Sequence, residues 1–208
     1  MKSSKEIYKD KSKQTFNNQA NIYDSTYYGK HAKKLYNSVV EEINGFKCRK
    51  ILDVGCGTGT VLSILSKKDS ICLAGIDLSK DMLNIARQKL NKNVELKIGD
   101  SEQLPWYNDI FDAIICTDSF HHYPEPEKVL SEMARVLKDK GHLVIGDPWM
   151  ISPLRQVFNL QLKYSKSGDY RIYSKLEISR MLVKCGFNSV NWNRLNYSSF
   201  VVTAEVNK

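Results

Sequence analysis

Residues Ile51–Thr60 read ILDVGCGTGT: a short apolar run, glycine at 55, 57 and 59, then the start of an apolar-periodic segment. Glycines at a strand-to-helix turn let a bound molecule approach the backbone closely. The spacing is GxGxG, not the GxGxxG of dinucleotide binders. Asp53 stands just before the glycines. A carboxylate there would repel a pyrophosphate and suits a cation.

Working outward from this loop, strands alternate with helices. Lys50–Gly55 reads as a buried strand and Thr60–Lys67 as a helix with Val61, Leu62, Ile64 and Leu65 inward. Ile71–Leu78 is a second strand, and Lys80–Leu90 a helix with Ser79 as N-cap. Val94–Gly99 and Phe111–Thr117 are further strands. Glu127–Lys138 is an amphipathic helix with Pro126 near its first turn and Gly141 as its stop, followed by a strand at His142–Gly146. Such alternation implies right-handed crossovers and a parallel sheet covered on both faces. The tail differs. After a helix at Leu176–Lys184, strands Ser189–Leu195 and Ser199–Val206 are separated only by Asn196, Tyr197 and Ser198. That connection is too short for a crossover, so the pair is antiparallel. The expected fold is α/β: a Rossmann-like, doubly wound, mostly parallel seven-stranded sheet with one reversed strand near the C-terminus.

Upstream, residues 1–14 read as mobile and 15–46 as helical, with Leu35, Val39, Val40 and Ile43 on one face. Residues 148–174 are long for a loop and read as a partial lid over the carboxyl edge of the sheet. The expected organisation is one domain over 1–208: a helical arm (1–46), a ligand-binding core (50–147), a lid (148–175) and a helix with an antiparallel strand pair (176–208).

Three carboxylates end consecutive strands. Asp77, in GIDLS, can accept hydrogen bonds from both hydroxyls of a ribose. Asp100, in IGDSEQLPW, can accept from an exocyclic amine. With Asp53 they imply a ligand that has an adenosine-like part and a positive part, because buried charges need partners.

These stretches, with FDAIICTDSFHHYPEPEKVLSEMARVLKDKGHLVIGDP and, more weakly, CGFNSV and SFVVTAEV, resemble the class I S-adenosylmethionine-dependent methyltransferases. The likeness is greatest to the small-molecule branch that includes the ubiquinone/menaquinone-biosynthesis enzymes. It covers 51–147 strongly and extends to 208. The resemblance implies that Asp53, Gly55, Cys56, Gly57, Thr58 and Gly59 line the methionine part of S-adenosyl-L-methionine. By the same resemblance Asp77 holds the ribose hydroxyls, Leu78 packs on adenine, and Asp100 with the Ser101 backbone reads the ring. Thr117 would lie near the amino group or sulfonium, and Tyr23, on an N-terminal helix, would close over the cofactor.

Methyl transfer from a sulfonium is an in-line displacement, so the protein mainly positions two partners. Where the acceptor must lose a proton, His121 or His122 is the candidate base. Candidate acceptor contacts are Asp118, Tyr27, Tyr28, Arg155, Tyr170 and Arg171, with Tyr164 and Tyr173 as further lid residues; Arg171 suits an acidic group.

Composition narrows the alternatives. The chain has 208 residues, 42% hydrophobic and 26% charged, with net charge +8, which is a globular balance. Residues 1–50 carry a net +6 and the remainder +2, so the basic excess lies at the N-terminus. No run of about 18 apolar residues suggests a membrane span, and no apolar leader segment is evident. The five cysteines (48, 56, 72, 116 and 185) form no CxxC pair, which argues against a thiolate metal site and fits a reducing cytoplasm. No metal is expected. Thr117–Phe120 lacks the signature of adenine-N6 methylation, and no Pro-Cys pair supplies the cytosine-C5 nucleophile. The expected product is a methylated small molecule, made by a monomer or homodimer. The rival readings are an RNA methyltransferase using the basic N-terminus, a non-catalytic cofactor-binding module, and a nicotinamide oxidoreductase, which the GxGxG spacing and Asp53 oppose.

Overall fold

The alternating segments from residue 50 form one sheet of seven strands: β1 (Lys50–Val54), β2 (Cys72–Asp77), β3 (Glu95–Ile98), β4 (Phe111–Thr117), β5 (Leu137–Pro148), β6 (Phe187–Arg194) and β7 (Ser199–Val206). They are seen in a computed structural model. It describes all residues but Met1, Asp69, Lys163, Lys166 and Ser167, and of the rest all side chains but those of Tyr27, Tyr28, His31 and Lys34. The strand order is β3-β2-β1-β4-β5-β7-β6. Pairing is parallel from β3 to β5, and β7 runs antiparallel to both β5 and β6. The single reversed strand is the one that the short Asn196–Ser198 connection requires.

The strands show why both faces are covered. Along β4, Ala113 and Ile115 enter one core cluster while Ile114 and Cys116 enter the other. Along β5, Val144 joins the first cluster, and Leu143 and Ile145 the second. A strand places alternate side chains on opposite faces. The first face is closed by α2 (Tyr27–Asn44), α3 (Thr60–Leu65) and α4 (Lys80–Lys89), which contribute Val39, Leu62 and Leu83. The second is closed by α5 (Pro126–Val136) and α7 (Lys175–Lys184), with Leu130, Met133 and Leu182. Ser79 caps α4 by accepting from the Met82 N–H, as expected.

Three expectations need correction. Residues 1–14 are not a mobile arm, because α1 spans Ser4–Gln19. Its start is fixed by a capping box: the Ser3 hydroxyl accepts from the Glu6 N–H, and the Ser3 N–H donates to the Glu6 carboxylate. Such caps contribute about 0.5–2 kcal/mol. The expected single helix over 15–46 is two. A 3-10 turn at Tyr23–Ser25 interrupts it, and Thr26 caps α2 by accepting from the Gly29 N–H at 3.1 Å. Finally, α5 stops at Val136, short of the expected Lys138, and Gly141 lies within β5 instead of stopping a helix. Leu137 already pairs with Phe111, residues 138–141 bulge opposite Asp112, and pairing resumes at His142 with Ala113. The Lys138 ammonium, 2.6 Å from Asp112 Oδ1, pins the bulge.

Three of the N-terminal lysines are matched by acids within the chain. Lys2 pairs with Asp10, Lys5 with Glu125, and Lys9 with Asp100 and Glu102. Between β5 and α7 the lid carries α6 (Leu154–Leu162).

Candidate active site

The strand order reverses between β1 and β4, and the carboxyl ends of β1, β2 and β4 meet there. This is where open α/β sheets form ligand crevices. The glycine loop is held to β2 by two backbone bonds, from the Gly55 and Cys56 N–H groups to the Ile76 carbonyl. Gly55, Gly57 and Gly59 all have positive φ, at 76°, 51° and 73°. At Gly55 a Cβ would lie 2.0 Å from Ser119 Oγ, so this turn has no room for a side chain.

Asp53 is 2% exposed, and its Oδ1 has no hydrogen-bond partner among the described residues. Thr117 Oγ1 is likewise buried without one. Both residues border one recess, with Tyr23, Gly55, Cys56, Gly57 and Thr58. Burial, with the Asp77 charge adding, pushes the Asp53 carboxyl up to about 8. Burial also raises the Cys56 thiol, so it is no nucleophile. The recess therefore offers a buried carboxylate and a hydroxyl with unused acceptor capacity, and a ligand bearing an ammonium or sulfonium fits it. The Thr58 hydroxyl donates to Asp24 Oδ1 at 2.8 Å, tying the loop to the turn that carries Tyr23. Gly59 faces away, toward Ala86 of α4 and Leu90 just beyond its end.

A second recess adjoins it, bordered by Asp77, Leu78, Asp100 and Ser101 and roofed by Lys9, Ser12, Lys13 and Phe16 of α1. Asp77 accepts from the Gly57 and Ser79 N–H groups, each at 2.8 Å. A carboxylate has about four acceptor sites, so capacity for two hydroxyls remains. The Asp77 carboxyl is raised by burial, and backbone donors oppose that shift. Asp100 Oδ1 accepts from the Glu102 N–H, and its Oδ2 accepts from Lys9 Nζ at 2.7 Å. Lys9 thus occupies the acceptor expected for an exocyclic amine. The two recesses hold only about 70 and 50 Å³, because α1 sits directly on them. Replacing Lys9 with Met is expected to tighten S-adenosylhomocysteine binding two- to tenfold in a calorimetric titration. Weaker binding would instead make Lys9 a ligand contact.

The third cavity, of about 370 Å³, is bordered by Asp118, His121, His122 and Asp169, with walls from Phe16, Trp149, Phe158 and Ile172. Asp118 adopts φ of 53°, and this left-handed turn carries Ser119–Tyr123 back over the glycine loop. His121 Nδ1 lies 3.0 Å from Asp147 Oδ1, on a fully buried carboxylate. Burial opposes charge on His121, but the Asp147 charge and hydrogen bond, with help from Asp169, outweigh it and raise the ring well above its ordinary range. Burial and the His121 charge hold His122 down at about 4. The His121 carbonyl accepts from the Tyr170 and Arg171 N–H groups, which fixes Asp169 beside the two rings.

Of the expected acceptor contacts among the described residues, Asp118 alone borders this cavity. Arg155 bonds the Met150 carbonyl, Tyr170 meets Tyr8 edge-on at 5.2 Å, and Arg171 pairs with Glu177. The side chains of Tyr27 and Tyr28 lie outside the described residues. Sequence reasoning missed Phe16, Trp149, Asp147 and Asp169. Phe16 borders all three spaces and meets His122 edge-on at 5.0 Å. Its one signal was a lone aromatic in a polar stretch. Asp147, at the end of β5, repeats the pattern that exposed Asp53 and Asp77.

Residues 47–186 match the methyltransferase domain family, which is more than half of the chain. The chain belongs to that family. Within it, a demethylmenaquinone methyltransferase of Thermotoga maritima is 42% identical over 152 residues, covering 68% of this chain and 66% of that protein. The match spans less than two thirds of the length of this and two other curated methyltransferases, at 66%, 43% and 42%. Among solved folds, phosphoethanolamine N-methyltransferase 2 of Haemonchus contortus, in complex with S-adenosyl-L-methionine, superposes with TM-score 0.72 at 15% identity. It covers 93% of this chain and 60% of that one. The [4+2]-cyclase SpnF superposes with TM-score 0.74 at 18% identity, over 98% and 94% of the two chains. A methyltransferase-like fold thus also carries other chemistry, and function must be argued from the site.

Proposed function

We propose that this chain binds S-adenosyl-L-methionine across the two recesses and transfers its methyl group to a small molecule held in the adjoining cavity. The observation that carries the reading is the pair of buried polar atoms without hydrogen-bond partners, Asp53 Oδ1 and Thr117 Oγ1, in one recess. The cofactor supplies an electrophilic methyl on a sulfonium, whose displacement leaves a neutral thioether. Asp53 and Thr117 receive the cationic end. Asp77 holds the ribose, and Leu78, Asp100 and Ser101 receive the base once Lys9 yields. Phe16 and His122, which border all three spaces, divide cofactor from acceptor and exclude water. Orientation of this kind can lower a barrier by about 7–11 kcal/mol. His121 Nδ1 is engaged by Asp147, and burial with its neighbour holds His122 well below its ordinary range, so the pair serves acceptor placement. The walls of Trp149, Phe158 and Ile172 suit an acceptor with an apolar body.

Lys2, Lys5 and Lys9 are already paired to acids, which counts against these three serving as RNA contacts. All five cysteines are free thiols, which suits a cytoplasmic setting.

S-adenosylhomocysteine at 100 times its dissociation constant should stabilise the protein by about 2.7 kcal/mol. Asp77→Ala should lose that shift. A thermal melt with and without ligand reads both, and an unshifted parent protein would overturn the proposal.

A further inference from the structure

We propose that His121, His122 and Asp169 form a binding site for one divalent transition-metal ion, of the zinc class, with an open coordination position facing the acceptor cavity. One ligand atom from each of the three lies within 4.8 Å of the others. His122 Nδ1 is 3.3 Å and His121 Nε2 3.5 Å from the same oxygen, Asp169 Oδ1. These separations are long for charge-assisted hydrogen bonds, which run about 2.7–2.9 Å. They match the ligand-to-ligand spacing of a tetrahedral ion with metal–ligand bonds of about 2.0–2.2 Å, roughly 3.3 Å. His122 Nδ1 is buried and has no hydrogen-bond partner among the described residues, so a ring nitrogen is left aimed at the gap.

The surroundings fit as well. The other nitrogen of His121, Nδ1, is held at 3.0 Å by buried Asp147. A carboxylate behind the distal nitrogen of a ligating histidine fixes tautomer and ring orientation. Asp169 is carried to the rings by the backbone bonds from Tyr170 and Arg171 to the His121 carbonyl, not by chance side-chain contact. Two imidazoles and one carboxylate are a donor set that zinc-class ions accept with a vacant fourth position. That position opens onto the 370 Å³ cavity. The donors come from two separated segments, so cysteine spacing in the sequence carried no sign of them.

Resting on the methyl-transfer reading, the site selects acceptors that present an ionisable oxygen or sulfur. The bound ion lowers the pKa of the acceptor O–H or S–H. Its proton leaves to water, the freed electron pair bonds the methyl carbon, and the sulfonium's S–C pair returns to sulfur.

The test uses full-length protein freed of metal by chelation and titrated with Co²⁺ alone. One equivalent should bind and give visible bands of tetrahedral or five-coordinate nitrogen/oxygen ligation, without a thiolate charge-transfer band. Azide should then shift those bands by entering the open position. Asp169→Asn should weaken binding at least 100-fold while keeping the melting temperature and the S-adenosylhomocysteine shift, and His122→Ala should weaken metal binding as strongly. Asp147→Asn should weaken it about 10- to 100-fold, and His142→Ala, remote from the cavity, should change nothing. Failure to bind Co²⁺, or binding that survives both His122→Ala and Asp169→Asn, overturns the site. So does loss in Asp147→Asn with Asp169→Asn unaffected, because the ion would then sit among Asp118, His121 and Asp147. Since the S-adenosylhomocysteine shift is read separately, a failed metal site and a failed cofactor reading are distinguishable.

Discussion

Asp53→Asn is expected to bind S-adenosylhomocysteine on the order of 100- to 1,000-fold more weakly than the parent protein, while folding normally. The Asp53 carboxylate is buried, has one oxygen without a hydrogen-bond partner among the described residues, and faces a recess that the Thr117 hydroxyl also borders. A cation entering there gains a partner of opposite charge away from water, and removing one member of such a pair costs about 3–5 kcal/mol. Asparagine keeps the shape and loses the charge. The same residue gives binding a pH signature. In the empty protein the Asp53 carboxyl lies at about 8, so it is mostly protonated at pH 6–7. An ammonium ligand requires the carboxylate, so binding expels a proton and tightens by up to about tenfold per pH unit between pH 6 and 8. The stability of the empty protein moves the other way. The raised value favours the protonated fold, and its contribution is complete below the unfolded carboxyl range and disappears as pH rises through about 8. Asp53→Asn should therefore flatten both profiles. Calorimetry in two buffers of different ionisation enthalpy reads the released proton directly, and equal affinity in the two proteins would remove Asp53 from the site.

What could be read from the sequence follows the range of the forces involved. The strand-end carboxylates were legible because a parallel sheet in register carries the ends of successive strands to one edge, so Asp53 and Asp77 converge without knowledge of any side chain. The reversed β7 was legible because a three-residue connection admits no crossover. The α1 helix was not. Its sequence is polar and Lys-rich and buries only Ser12, so hydrophobic periodicity is silent, although the Ser3–Glu6 capping box was present to be read. The acceptor wall was least legible. Arg155, Tyr170 and Arg171 were chosen for chemical type, yet each finds a local partner and turns from the cavity. Trp149 and Phe158 line it because β5 and α6 aim them there. The Asp147–His121–Asp169 chain depends on contacts between the end of β5, the turn after β4 and the lid. No spacing within one segment encodes that.

Gly55→Ala should lower the melting temperature by roughly 5–15 °C and abolish cofactor binding, although it adds one carbon. Two separable effects act at this residue. Its φ of 76° is left-handed, and a Cβ in that region costs about 1–2 kcal/mol. The added carbon would also lie 2.0 Å from Ser119 Oγ and 3.0 Å from the Tyr123 hydroxyl. Neither neighbour can yield freely. The Ser119 and Tyr123 hydroxyls bond each other at 2.8 Å, and Tyr123 packs edge-on against fully buried Phe120. Overpacking of this kind costs about 1–3 kcal/mol, and a protein of this size loses about 2–4 °C per kcal/mol. The loop must then shift, and it would take with it the Gly55 and Cys56 N–H bonds to Ile76 and, through Gly57, a donor to Asp77. A double variant separates the two effects. Ser119→Gly in the Gly55→Ala background removes the collision but leaves the backbone strain, so it should recover about half of the lost melting temperature. Full recovery would mean that sterics alone demand glycine at 55. No recovery would mean that the left-handed turn is the whole requirement, and that the approach of Ser119 to the loop is incidental to it.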